Sequence, residues 1–209
     1  MKKSASFFSI VFIFIFICLF CLAGCISSSP GKRYFQLYLG DEVGAAKRPE
    51  PAKKLDKIIF VENVAVDGIY DDYRIVYRSS PFQLNYYSYD SWIKKPGELI
   101  KDAIFDYLTK SMLFKNVTGK LADGEPDYLL KTRVDCLEEY DLGNVWFAHL
   151  QMQIEIEDYK SGKRVVFSRF DRRSKLNSRK VEFIPRAVSL ILKEELVKVI
   201  DRLFEQLEK

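Results

Sequence analysis

The chain has 209 residues, with 33 Lys and Arg against 29 Asp and Glu, one His and four Cys. A net charge of +4 is too small for a general nucleic-acid binder and too even for a disordered acidic tail. The length admits one compact domain with a linker, or at most two small domains.

The chain opens with a basic head, Lys2 and Lys3, followed by Phe7 to Leu22, apolar except for Ser9. Leu22-Ala23-Gly24-Cys25 closes this run. Small residues before a cysteine let a signal peptidase take an extended backbone, so residues 1–24 read as a lipoprotein signal. Cys25 is then the acceptor of a covalent diacylglycerol and an N-acyl chain. The alternative is an uncleaved anchor, but the 16 positions from Phe7 to Leu22 fall just short of the roughly 17 residues a span needs. Loss of the signal leaves 31 basic and 29 acidic residues, and Cys136 as the last unmodified cysteine, so no internal disulfide can form. Two or three acyl chains, at about 0.8 kcal/mol per buried CH₂, hold a protein at a membrane durably. Ile26 stands where lipoproteins retained in the inner membrane commonly have Asp, so in a cell with two membranes lipoprotein sorting implies the periplasm-facing inner leaflet of the outer one.

Residues 25–32 form the lipidated end and a Ser-, Pro- and Gly-containing tether, and residues 33–209 a single domain. Within it, Tyr34–Leu39 reads as a strand and Gly40–Lys57 as an exposed loop. Ile58–Val66, Tyr73–Arg78 and Phe82–Tyr87 read as further strands, with a turn at Ser79-Ser80-Pro81. Pro96-Gly97 opens an amphipathic helix whose stripe is Leu99, Ile100, Ala103, Ile104, Tyr107, Leu108, Ser111 and Met112. The run Tyr128–Tyr140 is a long strand with Tyr128, Leu130, Val134 and Cys136 expected on one face. Trp146–Glu157 alternates apolar and polar residues with period two, and Lys163–Phe170 returns beside it, making an antiparallel meander. A second amphipathic helix starts near Pro185. The expected class is α+β: a mainly antiparallel sheet with two amphipathic helices packed on one face.

Catalytic signatures are sparse. His149 is expected on the polar side of its strand in a structural role, without the second His or cysteine cluster a metal site needs. A Ser-His-Asp triad would have to use this one imidazole, and neither a nucleophile elbow nor a Gly-rich phosphate loop is present. Glu138, Glu139 and Asp141, like Glu155, Glu157 and Asp158, read as solvated charges at strand ends. Cys136 is expected to pack inward as a small apolar residue. The basic stretch 163–180 contains Arg164, Arg169, Arg172, Arg173 and Arg179; it suits either an acidic partner or lipid head groups, or else is a solvated sheet edge that deters aggregation. Tyr86, Tyr87, Tyr89 and Trp92 suit either a core lid or an interface.

The order of these landmarks resembles a known family. Tyr34-Phe35-Gln36-Leu37 follows the lipidated cysteine; Arg74–Arg78 precedes a tyrosine-rich strand; Trp92 and Pro96 introduce a helix; and Val165–Phe170 precedes a long terminal helix. Together they resemble the ABC-type transport auxiliary lipoproteins, PqiC-like lipoproteins of MCE-type lipid transport systems. The resemblance implies a non-catalytic, lipid-anchored subunit without cofactor or metal. Its partners would be an MCE-domain protein, an ABC permease and ATPase, and membrane lipid, and some members form homo-oligomeric rings. A structural or assembly lipoprotein of another outer-membrane complex is the alternative.

Overall fold

The structure, a computed structural model, describes residues 31–40, 54–120 and 125–208. The signal segment 1–24, Cys25, the tether as far as residue 30 and most of the Gly40–Lys57 loop lie outside the described residues. In chain order the elements are β1 (Arg33–Phe35), β2 (Leu55–Val61), β3 (Ala65–Val66), β4 (Arg74–Ser80), β5 (Gln83–Trp92), α1 (Pro96–Ser111), β6 (Phe114–Thr118), β7 (Tyr128–Asp141), β8 (Trp146–Asp158), β9 (Arg164–Lys175) and α2 (Phe183–Leu207).

β7, β8 and β9 form the expected antiparallel meander. The sheet as a whole is mixed, which corrects the expectation of a mainly antiparallel one. The far edge of β7 is shared in series by β2, β3 and β4, all parallel to it. β6 adds in parallel to β2, and β1 in parallel to β5. Only β4 and β5 form an antiparallel hairpin on that side. Alternation in a sequence reports which face a residue takes but not strand direction, so the parallel crossovers left no trace in it. β6 was not anticipated, since Phe-Lys-Asn-Val-Thr carries only two apolar residues. The Ile58–Val66 run divides into β2 and β3 at residues 62–64.

Both helices back one face of the sheet. Their buried stripes join Ile59, Val61, Tyr128, Leu130, Ala148, Leu150, Met152, Ile154 and Ile156 in one core. Gly97 lets the first turn of α1 lie close, since a Cβ there would sit 3.1 Å from the Val64 carbonyl oxygen and the Val66 side chain. The segment Leu37–Gly40 lies against Ala103, Asp106, Tyr107 and Lys110 of α1. It is also tied to α2: the Tyr38 N–H donates to Ser189 Oγ at 3.1 Å, and Lys193 Nζ donates to the Gly40 carbonyl at 3.0 Å. The N-terminal strand region and the last helix are thereby stapled together.

Between Val134 and Cys136 the register shifts: Val134 faces Met152 but Cys136 faces Gln151, making Asp135 a bulge. Beyond it the faces exchange. Leu137, Glu139 and Asp141 pair with Leu150, Ala148 and Trp146 on the helix side, while Cys136, Glu138 and Tyr140 turn to the opposite side with Gln151, His149 and Phe147. The face that Cys136 was expected to share with Val134 is therefore corrected, while the side chain is buried as expected. An unbroken period of two had been assumed, and a bulge of one residue inverts it.

The Ser189–Tyr38 bond is a direct test of the staple. Ser189→Ala is expected to cost about 1 kcal/mol of stability and to speed amide exchange at Tyr38 selectively, as measured by hydrogen exchange.

Candidate functional site

The bulge brings Cys136, Glu138 and His149 together on the sheet face away from the helices. All three are buried, so the strand-end exposure expected for Glu138 does not hold, and His149 takes the polar side of β8 expected for it but beneath the surface. A tight turn after β3 covers them. Asp67 N–H donates to the Val134 carbonyl at 3.0 Å, and Tyr70 and Asp71 N–H both return to the Asp67 carbonyl. Tyr70 is thereby laid over β7, with its hydroxyl donating to Glu138 Oε2 at 2.9 Å. From β4, parallel to β7 with Arg78 opposite Tyr140, Arg78 Nε donates to Glu138 Oε1 at 2.8 Å.

Burial pushes the Glu138 carboxyl up, but the hydrogen bonds from His149, Arg78 and Tyr70 together win and hold it at about 2. His149 Nε2 lies 2.7 Å from Asp171 Oδ1. Its Nδ1 lies 3.3 Å from both Cys136 Sγ and Glu138 Oε1. With Nε2–H donated to Asp171, Nδ1 accepts from the thiol; with a second proton it donates to Glu138. Burial pushes the Cys136 thiol up to about 12, so at neutral pH it is a thiol and not a thiolate.

Cys136, Glu138 and His149 present three ligand-type atoms within 4.8 Å of one another. Arg78 and Tyr70 already occupy the Glu138 oxygens and Asp171 the far nitrogen of His149, so the cluster closes on itself. The protonated thiol disfavours a Cys-His nucleophile.

Glu139 and Asp141 also contradict the solvated strand-end reading, in this case on the helix side. Both are buried. Tyr87 donates to Glu139 Oε2 at 2.8 Å, whereas Oε1 has no hydrogen bond and only Arg179 at 4.0 Å. Arg179 is instead held by Asp141 at 2.9 Å. Burial raises the Glu139 carboxyl above its ordinary value despite Tyr87 and Arg179. Glu155 and Glu157, by contrast, stand in the β8 ladder, each in an ion pair, with Arg164 and Lys131.

The basic stretch divides between the two faces. Arg172 reaches the helices, to Glu195 at 2.6 Å and Glu194 at 3.0 Å. On the other face Arg164 pairs with Glu155 at 2.9 Å, Arg169 lies 3.9 Å from Asp135, and Arg173 stacks over Tyr140. Of the aromatic group, Trp92 is core, Tyr86 and Tyr87 are half-buried and Tyr89 is exposed. Sequence reading missed Tyr70, Arg78 and Asp171 as the partners of Glu138 and His149. Their signal was topological: a parallel β4 beside β7, which no local pattern reveals.

What the fold and the cluster define is a helix-backed mixed sheet whose buried ionic groups satisfy chiefly one another. Among the described residues no helix is long and apolar enough to cross a membrane. Residues 38–200 match the family described as the ABC-type transport auxiliary lipoprotein component, and the chain belongs to that family. Among solved structures, protein XCC0632 from Xanthomonas campestris aligns at TM-score 0.64 and 18% identity, covering 73% of this chain and 87% of its own. An uncharacterized protein aligns at TM-score 0.64 and 14% identity, covering 81% and 97%. At these identities the likeness concerns the fold. No curated protein matches the sequence.

Two carboxylates give opposite tests. The folded Glu138 value lies below the ordinary 4.5, so its contribution is complete above about pH 4.5 and is lost as pH falls toward 2. Glu138→Ala leaves the half-buried Arg78 and the buried Tyr70 without their carboxylate and is expected to cost about 1.5–3 kcal/mol at pH 7, with a flatter acid limb in urea titrations. Glu139 has the reverse sign: its contribution is complete below the ordinary Glu value and is lost as pH rises through the raised folded value. Glu139→Gln keeps an acceptor for Tyr87 and is expected to raise the thermal midpoint at pH 7 and leave it nearly unchanged at pH 4.

Proposed function

We propose that this chain is a non-catalytic, lipid-anchored auxiliary subunit of an MCE-type lipid transporter, working at the periplasmic side of the outer membrane. The observation that carries the reading is the family match over residues 38–200, joined to the Leu22-Ala23-Gly24-Cys25 signal before it. In this reading Cys25 carries diacylglycerol and an N-acyl chain such as palmitate, and residues 25–32 set the height of the domain. The MCE protein, its permease and its ATPase supply transport and energy. This subunit docks them to the membrane, alone or as a homo-oligomer.

The Cys136–Glu138–His149 cluster, closed by Arg78, Tyr70 and Asp171, supports a docking role over chemistry, because its carboxylate is held by fixed donors and its thiol is protonated. Tyr34, Tyr73, Tyr89 and Ile93 are exposed near the far end of β5. There the Trp92 N–H donates to the Tyr73 carbonyl and the Ile93 N–H to the Phe35 carbonyl. This aromatic edge, with the exposed heads of Arg164 and Arg169 on the open face, is the surface assigned to protein partners.

Mild-detergent capture of the processed protein from its own membranes is the test. Co-purification of an MCE-domain subunit, together with loss of acyl labelling and of membrane retention in Cys25→Ser, is the expected result. Capture of an unrelated outer-membrane assembly would favour the assembly-lipoprotein reading instead.

A further inference from the structure

One end of the sheet carries apolar side chains in open solvent. Phe82 is 97% exposed and Leu142 is 56% exposed. Phe82 lies in the two-residue turn between β4 and β5, not inside a strand as its sequence context suggested. Leu142 opens the β7–β8 turn, which closes through Gly143 at φ +82°. Because β4 runs parallel to β7 with Arg78 opposite Tyr140, the two turns project at the same end of the sheet. They stand about 10 Å apart, the span of two strand spacings. β9 also ends there, with Lys175 opposite Phe147.

Close to the tips the exposed charge is basic. Lys175 and Arg179 are exposed, and the acid beside them, Asp141, is buried and paired with Arg179, while Lys180 lies 4.0 Å from the exposed Glu182. Among the described residues 80–83, 141–146 and 174–180 no carboxylate is exposed. A groove of about 350 Å³ beside the end of β9 is lined by Lys175 and Arg186 together with Leu176, Phe183, Ala187 and Leu190. Apolar turns without an exposed acid of their own, flanked by Lys175, Arg179 and Arg186, match a phospholipid surface with anionic head groups.

Strand direction points the same way. β1 is parallel to β5, with Arg33 opposite Asp90, so the chain enters β1 from the side of the tips. From Asp90 back to Gln83 the sheet extends at most about 23 Å, since β5 bulges between Ser91 and Tyr86, and the eight residues from Cys25 to Arg33 span at most about 29 Å. An acyl group on Cys25 can therefore reach the level of Phe82.

We propose that the Phe82 and Leu142 turns insert into the leaflet that holds the acylated Cys25, with Lys175 and Arg179 at its head groups, so that the domain stands on the membrane on this end. The proposal rests on the acylation of Cys25 proposed above and adds an orientation to it. Its test uses the processed full chain reconstituted in phosphatidylethanolamine–phosphatidylglycerol vesicles. Phe82→Cys and Phe167→Cys are each labelled with an environment-sensitive fluorophore. Cys136 is buried and stays unlabelled. Phe167 is exposed and faces Glu155, eight residues along β8 from Phe147, about 26 Å from the tips. Brominated acyl chains are expected to quench the label at 82, seated about 5–10 Å into the head-group boundary, and to leave the label at 167 bright. Quenching at 167 alone, at both positions, or at neither while the protein still floats with the vesicles overturns the orientation. A label at 82 already shielded in detergent without vesicles assigns the tips to a protein contact and also overturns it. Failure to float removes the acyl anchor and the proposal with it.

Discussion

The arrangement depends on a buried carboxylate, Glu138, that must remain charged. A lone ion in a protein interior is costly, and this one is tolerated because Arg78, Tyr70 and His149 converge on it from three separate segments. Each of those segments is held against β7 partly by this demand. β4 lies parallel to β7 where Arg78 meets Glu138, and the 67–71 turn lies over the sheet where Tyr70 does. Asp171 brings β9 into the same network through the far nitrogen of His149. Four pieces of chain distant in sequence are thus coupled at one point.

The Asp135 bulge makes that coupling possible. Glu138 and Glu139 are neighbours in sequence and both buried, and on a single face their repulsion in a medium of low dielectric would force one to protonate. Pleating puts them on opposite faces, and the bulge decides which face each takes. Glu138 faces the cations of the open side, and Glu139 and Asp141 face Tyr87 and Arg179 on the helix side. The upper part of the sheet consequently carries buried carboxylates on both faces, whereas in the lower part the ion pairs of Glu155 and Glu157 lie on the open face and the helix side is aliphatic. Ionic contacts specify direction as well as proximity, which suits an end of the molecule that must present two turns in fixed positions.

Much of this was legible before the structure. Period-two alternation in β8 and the helical stripes of α1 and α2 each mark one buried face, and those elements lie within a few residues of where the pattern put them. The meander followed from the short turns between its strands. What failed to show was whatever depends on partners in space. Cys136 continues the alternation of Val134 in the sequence, and only the pairing with β8 shows one residue inserted between them. Glu138, Glu139 and Asp141 carry the composition of a solvated strand end, and composition cannot say that Arg78, 60 residues away, lies 2.8 Å from one of them. Phe82 was the converse: an aromatic residue beside a turn reads as the start of a strand, and the chain leaves it in solvent.

That exposure is what gives the domain a direction. A fully exposed phenylalanine at a turn gains nothing in water, and burial of such a side chain is worth roughly 1.5–3 kcal/mol. Under the acylation proposed above, lipid alone would supply attachment. The contribution of the tips would be to restrict rotation, since two apolar points about 10 Å apart, with the lipid as a third, define a plane. With those points at the bilayer, Tyr34, Tyr73 and Ile93 at the opposite end of β5 are turned away from it, toward the space a partner spanning the envelope would occupy.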